Sequence, residues 1–202
     1  MHYPNFYSQV APIRLYDPLS EFLGAFKDGR LEISYLDCVK LAGHSCPTVA
    51  GAYLMALQGL DALYGDYLPS RGNIKVQMRN SETEGVTGVI CNVISFITGA
   101  NGEDGFKGIQ GNFARNNLID FDIPMEGEVT LTRLDTNESV TLSYDPSIIK
   151  PDTRMKALMG KNVQGSATEE EKSLFRELWQ ERVERILLST NNYDQMITII
   201  KG

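Results

Sequence analysis

The sequence predicts the α+β class, because its helix-like and strand-like segments fall in separate runs along the chain. Residues 47–64 form a run apolar on nearly every face, which reads as a buried helix. Residues 73–79, 86–98, 127–134 and 138–144 carry the β-branched, alternating patterns of strands. A strongly amphipathic helix begins near Thr168.

The first helix is marked by Asp17-Pro18, with Leu19, Phe22, Leu23 and Phe26 on one face and Asp28-Gly29 as its stop. A second, shorter helix starts at Ser34 as cap, with Asp37 three residues on in a capping-box position, and ends at Gly43. Cys38 lies inside it, on the Tyr35 side, where it either fills core volume or faces the junction that follows.

That junction is Gly43-His44-Ser45-Cys46-Pro47. Imidazole nitrogen and thiolate sulfur suit zinc, or iron, nickel or copper, better than the oxygen-seeking ions. One residue separates the pair, so both side chains reach one ion only if the backbone turns there. Gly43 permits such a turn, and Pro47 fits the first position of the helix that follows. Cys46 then stands at a helix amino end, where free N–H groups favour thiolate. The competing reading is a small buried Cys beside a hydrogen-bonded His.

The five-residue core, set before a small-residue-rich helix, a strand-rich region and the Thr98-Gly99 loop, resembles the FmdE-like family of formylmethanofuran dehydrogenase and its free-standing relatives. The resemblance covers about residues 34–144. It implies helices packed on an antiparallel sheet, frequent homodimerisation, and a metal-bearing cavity lined by His44 and Cys46, with Cys91 as the counterpart of a later strand cysteine. Thr48 stands where the family usually has Gly. No cysteine follows Cys91, so the carboxyl-terminal zinc finger of some relatives is absent. Zinc, or another transition metal such as iron or nickel, is the expected cofactor, and a small molecule the expected ligand or substrate.

Further along, residues 86–98 read as a central strand covered on both sides, which makes Cys91 either a third ligand or a buried strand cysteine. The polar run 79–85 reads as a turn between strands, with Glu82 and Glu84 as candidate outer ligands or general bases. Residues 98–111 hold five glycines and form either a wall of the cavity or a flexible loop, and the segment lacks the spacing of a phosphate-binding motif. Lys107 within it is a candidate to stabilise an oxyanion, and Arg115 just after it a candidate to grip a carboxylate. The segments about Asp135-Thr136-Asn137 read as a β-hairpin. After Pro146 and Pro151 the pattern changes: a loop over 162–166 leads to the Thr168 helix, with Glu169, Glu170 and Glu171 in its first turn. An α+β core over 1–150 with a helical extension over 151–202, packed on the core or on a second subunit, is the expected organisation.

Composition bounds the function. A net charge of -7 excludes a basic stripe for nucleic acid. Three cysteines without the spacing of a disulfide framework suit reduced thiols and a cytoplasmic setting. No apolar run is long enough to span a bilayer, and the start of the chain lacks the charged and apolar regions of a leader. Two functions fit these limits: a metal-dependent enzyme acting on a small molecule, or a non-catalytic metal- or cofactor-binding accessory protein.

Overall fold

A computed structural model describes residues 3–202; Met1 and His2, the first residues of the segment read as lacking a leader, lie outside it. The chain is α+β. A two-stranded antiparallel ribbon pairs β1 (Ile13–Tyr16) with β2 (Arg30–Ile33). The main sheet has five strands, β3 (Ile74–Met78), β4 (Ile119–Asp120), β5 (Val129–Arg133), β6 (Ser139–Tyr144) and β7 (Ile197–Lys201), in the order β4-β3-β5-β6-β7. Within it, only the β3–β4 pair is parallel.

The helix α3 (Pro47–Tyr64) crosses the sheet, and its sequence explains the close approach. Gly59 lies against Leu131 and Leu142, where an added methyl would come within 2.9 Å of Leu131. Gly51 lies under the ring of Tyr144. Val49, Tyr53, Leu54, Met55 and Leu60 are buried in the resulting core, as the all-round apolar pattern requires.

The capping box expected at Ser34 is present and opens α2 (Tyr35–Ala42), which Gly43 closes in the left-handed conformation at φ 74°. The hairpin β5–β6 forms across Asp135-Thr136-Asn137 as its alternation indicates. Thr168 caps α6 (Glu169–Leu188) through a second capping box with Glu171.

Three expectations are corrected. Residues 86–98 are not a strand: Thr87–Thr98 form the helix α4, which packs on α3. Its buried residues Thr87, Ile90, Cys91, Val93, Ile94, Ile97 and Thr98 recur at helical spacing, while Asn92 is exposed on the opposite face. The β-branched composition suggests a strand, but packing on a neighbouring helix overrides that preference. The polar run before it therefore joins β3 to α4 and is not a hairpin tip. The first helix, α1 (Pro18–Leu23), is short: it ends at Gly24 in the left-handed region, and Phe22, Leu23 and Phe26 are exposed.

In the last quarter, α5 (Met155–Val163) is a helix that no strong sequence pattern announces, and it packs with α6 around Met155, Leu158 and Leu178. Val183, Ile186 and Leu187 of α6 join the main core, and a short turn of helix, α7 (Tyr193–Met196), leads into β7, which pairs with β6. The terminal apolar run is thus tied into the sheet. Among the described residues, no helix is long and apolar enough to cross a membrane.

Candidate metal-ligating turn and its adjoining hollow

The turn between α2 and α3 is built by local rules. Gly43 ends one helix, and its N–H donates to the Val39 carbonyl. Cys46 is the N-cap of the next, in extended conformation, and its Sγ accepts the backbone N–H of Val49 at 3.5 Å. Pro47 follows at the first helical position, where a missing N–H removes no bond.

Ser45, the residue between the two candidate ligands, anchors the turn. It is buried, with its hydroxyl 2.9 Å from the Tyr35 hydroxyl. Its carbonyl accepts the indole N–H of Trp179 at 2.9 Å and the amide of Gln180 at 3.4 Å, both from α6. Behind it, Tyr7, Tyr35 and Tyr53 meet edge to face. Burial holds the Tyr35 phenol far above its ordinary range, so it serves as a neutral hydrogen-bonding group. In the sequence, position 45 looks like a spacer, because a role played mostly through a backbone carbonyl leaves no side-chain signal.

His44 is exposed, and its Nδ1 lies 2.9 Å from the Ala42 carbonyl oxygen. A carbonyl only accepts, so Nδ1 carries a hydrogen, and in the neutral ring Nε2 presents its lone pair. A metal-ligating histidine is commonly fixed in this way, through a hydrogen bond from the other ring nitrogen.

His44 lines a hollow of about 440 Å³ between α2 and α4. Leu41 and Ala42 form one wall, and Val89, Asn92, Val93, Ser95 and Phe96 of α4 the other. Arg71 and Asn101 complete the lining. Cys46 does not line it; the thiol sits at 9% exposure in the adjoining core. A hollow of similar size, about 490 Å³, lies by Leu57, Asp61 and Tyr67 and contains neither candidate ligand.

The other sequence-derived candidates fall elsewhere. Cys91 is buried on α4, and burial, reinforced by the Glu82 charge, pushes its thiol up to about 11. Cys38 is fully buried in the core, and burial pushes its thiol up to about 12. Glu84 is exposed at a smaller hollow beside Arg79 and Glu128. Lys107 is exposed on the glycine-rich segment. That segment is folded, with Arg115 N–H bonded to the Phe106 carbonyl and Asn101 N–H to the Arg115 carbonyl, and it meets the His44 hollow only at Asn101.

Arg115 turns inward to Asp17, at 2.5 Å, and Arg71 reaches the other oxygen of the same carboxylate at 3.0 Å. Asp17 also caps α1 by accepting the N–H of Ser20. Burial raises the Asp17 carboxyl, but the Ser20 N–H and the two guanidiniums outweigh it and hold the group below its ordinary value. Arg71 carries no sequence signal of its own, since it sits in a Pro-Ser-Arg-Gly turn with no motif around it.

Within the described residues no three His, Cys, Asp or Glu side chains converge as a metal cluster. A soft nitrogen and a soft sulfur one residue apart nonetheless suit a transition metal as half of a four-coordinate set.

The sequence model of a protein family described as "FmdE, Molybdenum formylmethanofuran dehydrogenase operon" matches residues 41–193. The chain belongs to this FmdE family. The match begins in the last turn of α2, takes in the His44–Cys46 turn and β3 to β6, and runs to the start of α7, so α5 and α6 belong to the matched region while β7 lies beyond it. Comparison with curated proteins finds no match.

Proposed function

We propose that this FmdE-family protein binds a transition metal, zinc in the first instance, through His44 Nε2 and Cys46 Sγ, and acts as a metal-dependent enzyme on a small molecule. The observation that carries the reading is the bond from His44 Nδ1 to the Ala42 carbonyl, which leaves Nε2 as a free donor on a side chain exposed to a hollow. Cys46 supports it from the amino end of α3, where its Sγ already accepts the Val49 N–H.

Two protein donors leave coordination positions to be filled. Cys91, which the family resemblance offers as the third ligand, would have to approach the turn from the buried face of α4. A second copy of the chain, as expected from the family's homodimers, is another source. When bound, a metal at such a site supplies Lewis acidity and lowers the pKa of bound water. The protein's own residues do the rest: Trp179 and Gln180 fix the turn through Ser45, and the hollow admits a small ligand beside His44. Lys107, Glu84 and Arg115 remain candidates for assisting groups. Arg115 would first have to leave Asp17, and Lys107 would have to swing inward.

A second reading is a non-catalytic accessory protein that carries metal or cofactor. The exposure of His44 favours it, because an exposed ligand exchanges readily. The family's description by an operon of formylmethanofuran dehydrogenase is compatible with such a role.

Elemental analysis of the untagged chain, purified without added metal, tests the proposal. About one zinc or iron per chain is expected for a single site, with loss in both His44→Ala and Cys46→Ser while the circular dichroism is unchanged. Full metal content in both variants sinks it.

A further inference from the structure

We propose that the hollow between α2 and α4 binds a small organic anion, a carboxylate with a short apolar body, held at its charged end by Arg71.

Asp17, Arg71 and Arg115 form one cluster in which the side chains are 2%, 17% and 12% exposed. One carboxylate against two guanidiniums leaves a positive charge with little water around it. Both oxygens of Asp17 are occupied, one by Arg115 and the Ser20 N–H, the other by Arg71. Arg71 gives Nε–H to the Ile97 carbonyl, one Nη2 hydrogen to the Phe96 carbonyl and one Nη1 hydrogen to Asp17. A guanidinium has five N–H groups, so two remain. The carbonyls it caps, at the carboxyl end of α4, carry only partial negative charge and do not cancel it.

Shape supplies the rest. Arg71 caps the carboxyl end of α4, and Val89 lies seven residues before Phe96 on the same helix, so the lined stretch is about 10 Å long at the helical rise per residue. Leu41, Val89, Val93 and Phe96 give it an apolar surface about equal to its polar one, to which Asn92 and Asn101 add amide groups. The two N–H groups left, one on Nη1 and one on Nη2, are available to carboxylate oxygens. A cation is disfavoured by the same charge, and a dianionic phosphate meets only one surplus positive charge and walls that are half apolar. The inference deepens the proposed function, resting on it only in treating this hollow as the working site, and it does not require the metal.

The test is an NMR titration of the EDTA-treated full chain with hexanoate, hexanamide and inorganic phosphate, following the side-chain signals of Arg71, Asn92 and Asn101. Hexanoate is expected to saturate with shifts at these groups, and hexanamide to bind about ten- to a hundredfold more weakly for loss of a charge-assisted hydrogen bond. Val89→Trp, at the opposite end of the lined stretch from the Phe96 carbonyl that Arg71 caps, should fill the hollow and abolish hexanoate binding. Equal binding of acid and amide, tighter binding of phosphate, absence of saturation, or wild-type hexanoate affinity in folded Val89→Trp would each overturn the proposal. Cys46→Ser, at a residue that does not line the hollow, separates the two readings: it should lose metal yet keep hexanoate, so failure of either is visible on its own.

Discussion

Trp179 donates its indole N–H to the carbonyl oxygen of Ser45 at 2.9 Å, across 134 residues of sequence. The bond ties α6 to the turn that carries both candidate ligands, so the carboxyl-terminal helix positions the turn. Trp179→Phe keeps an aromatic ring and removes the donor. Gln180 remains at 3.4 Å to satisfy the carbonyl in part. We expect a loss of about 1 kcal/mol in unfolding free energy. Zinc affinity should weaken by about tenfold, as for removal of an outer hydrogen bond that orients a ligand. Denaturant unfolding and competition with a chromogenic chelator measure the two separately, and unchanged zinc affinity would make the bond structural only.

Gly51 provides a test of the α3–sheet contact. In an open helix, replacing Gly with Ala is favourable by about 0.5–1 kcal/mol. Here the new methyl would overlap the ring carbons of Tyr144, so crowding decides the sign. Gly51→Ala should destabilise by about 1–3 kcal/mol. Tyr144→Leu in the same chain should recover part of this, giving a measurable coupling in a double-mutant cycle. Additive effects would mean that the ring relaxes away at no cost.

The parts of this fold that are legible in the sequence are those set by local chemistry. The capping boxes at Ser34 and Thr168, Gly43 in the left-handed region and Pro47 at the start of α3 each act within a few residues. The β5–β6 hairpin is likewise local. Residues 86–98 read as a strand because Val, Ile and Phe satisfy a strand and a buried helix alike; the contact with α3 that decides between them is not local. The ribbon β1–β2 and the two-residue β4 are too short to signal themselves. The ligand turn is visible as His44 and Cys46, whereas Arg71 and Arg115 meet Asp17 across 54 and 98 residues, and no periodicity announces such a cluster.

Asp17 should show in the acid limb of stability. Its carboxyl is held below its ordinary value in the folded chain, so its contribution is present above the unfolded carboxylate pKa, about 3.9. That contribution is lost as pH falls through the lower folded value. Asp17→Asn keeps the shape but leaves two little-exposed guanidiniums without a counter-charge. At pH 7 the variant should be destabilised by about 3–5 kcal/mol, the usual cost of breaking a buried pair from one side. Urea unfolding at pH 7 and pH 3 should show the gap between wild type and variant narrowing at the lower pH, and a gap that widens on acidification would contradict the assignment.

The three cysteines should separate by reactivity. Burial pushes the Cys38 thiol up to about 12 and the Cys91 thiol up to about 11, and both are shut in the core. Only thiolate reacts appreciably with iodoacetamide, so at pH 8 neither should be alkylated while the chain is folded. Cys46, the most exposed of the three, should be modified first. Added zinc should slow that modification in wild type but not in His44→Ala, because protection needs both donors on one ion. Peptide mass mapping after timed alkylation reads all three sites at once. Early modification of Cys91, or zinc protection that persists without His44, would place the metal ligands elsewhere in the chain.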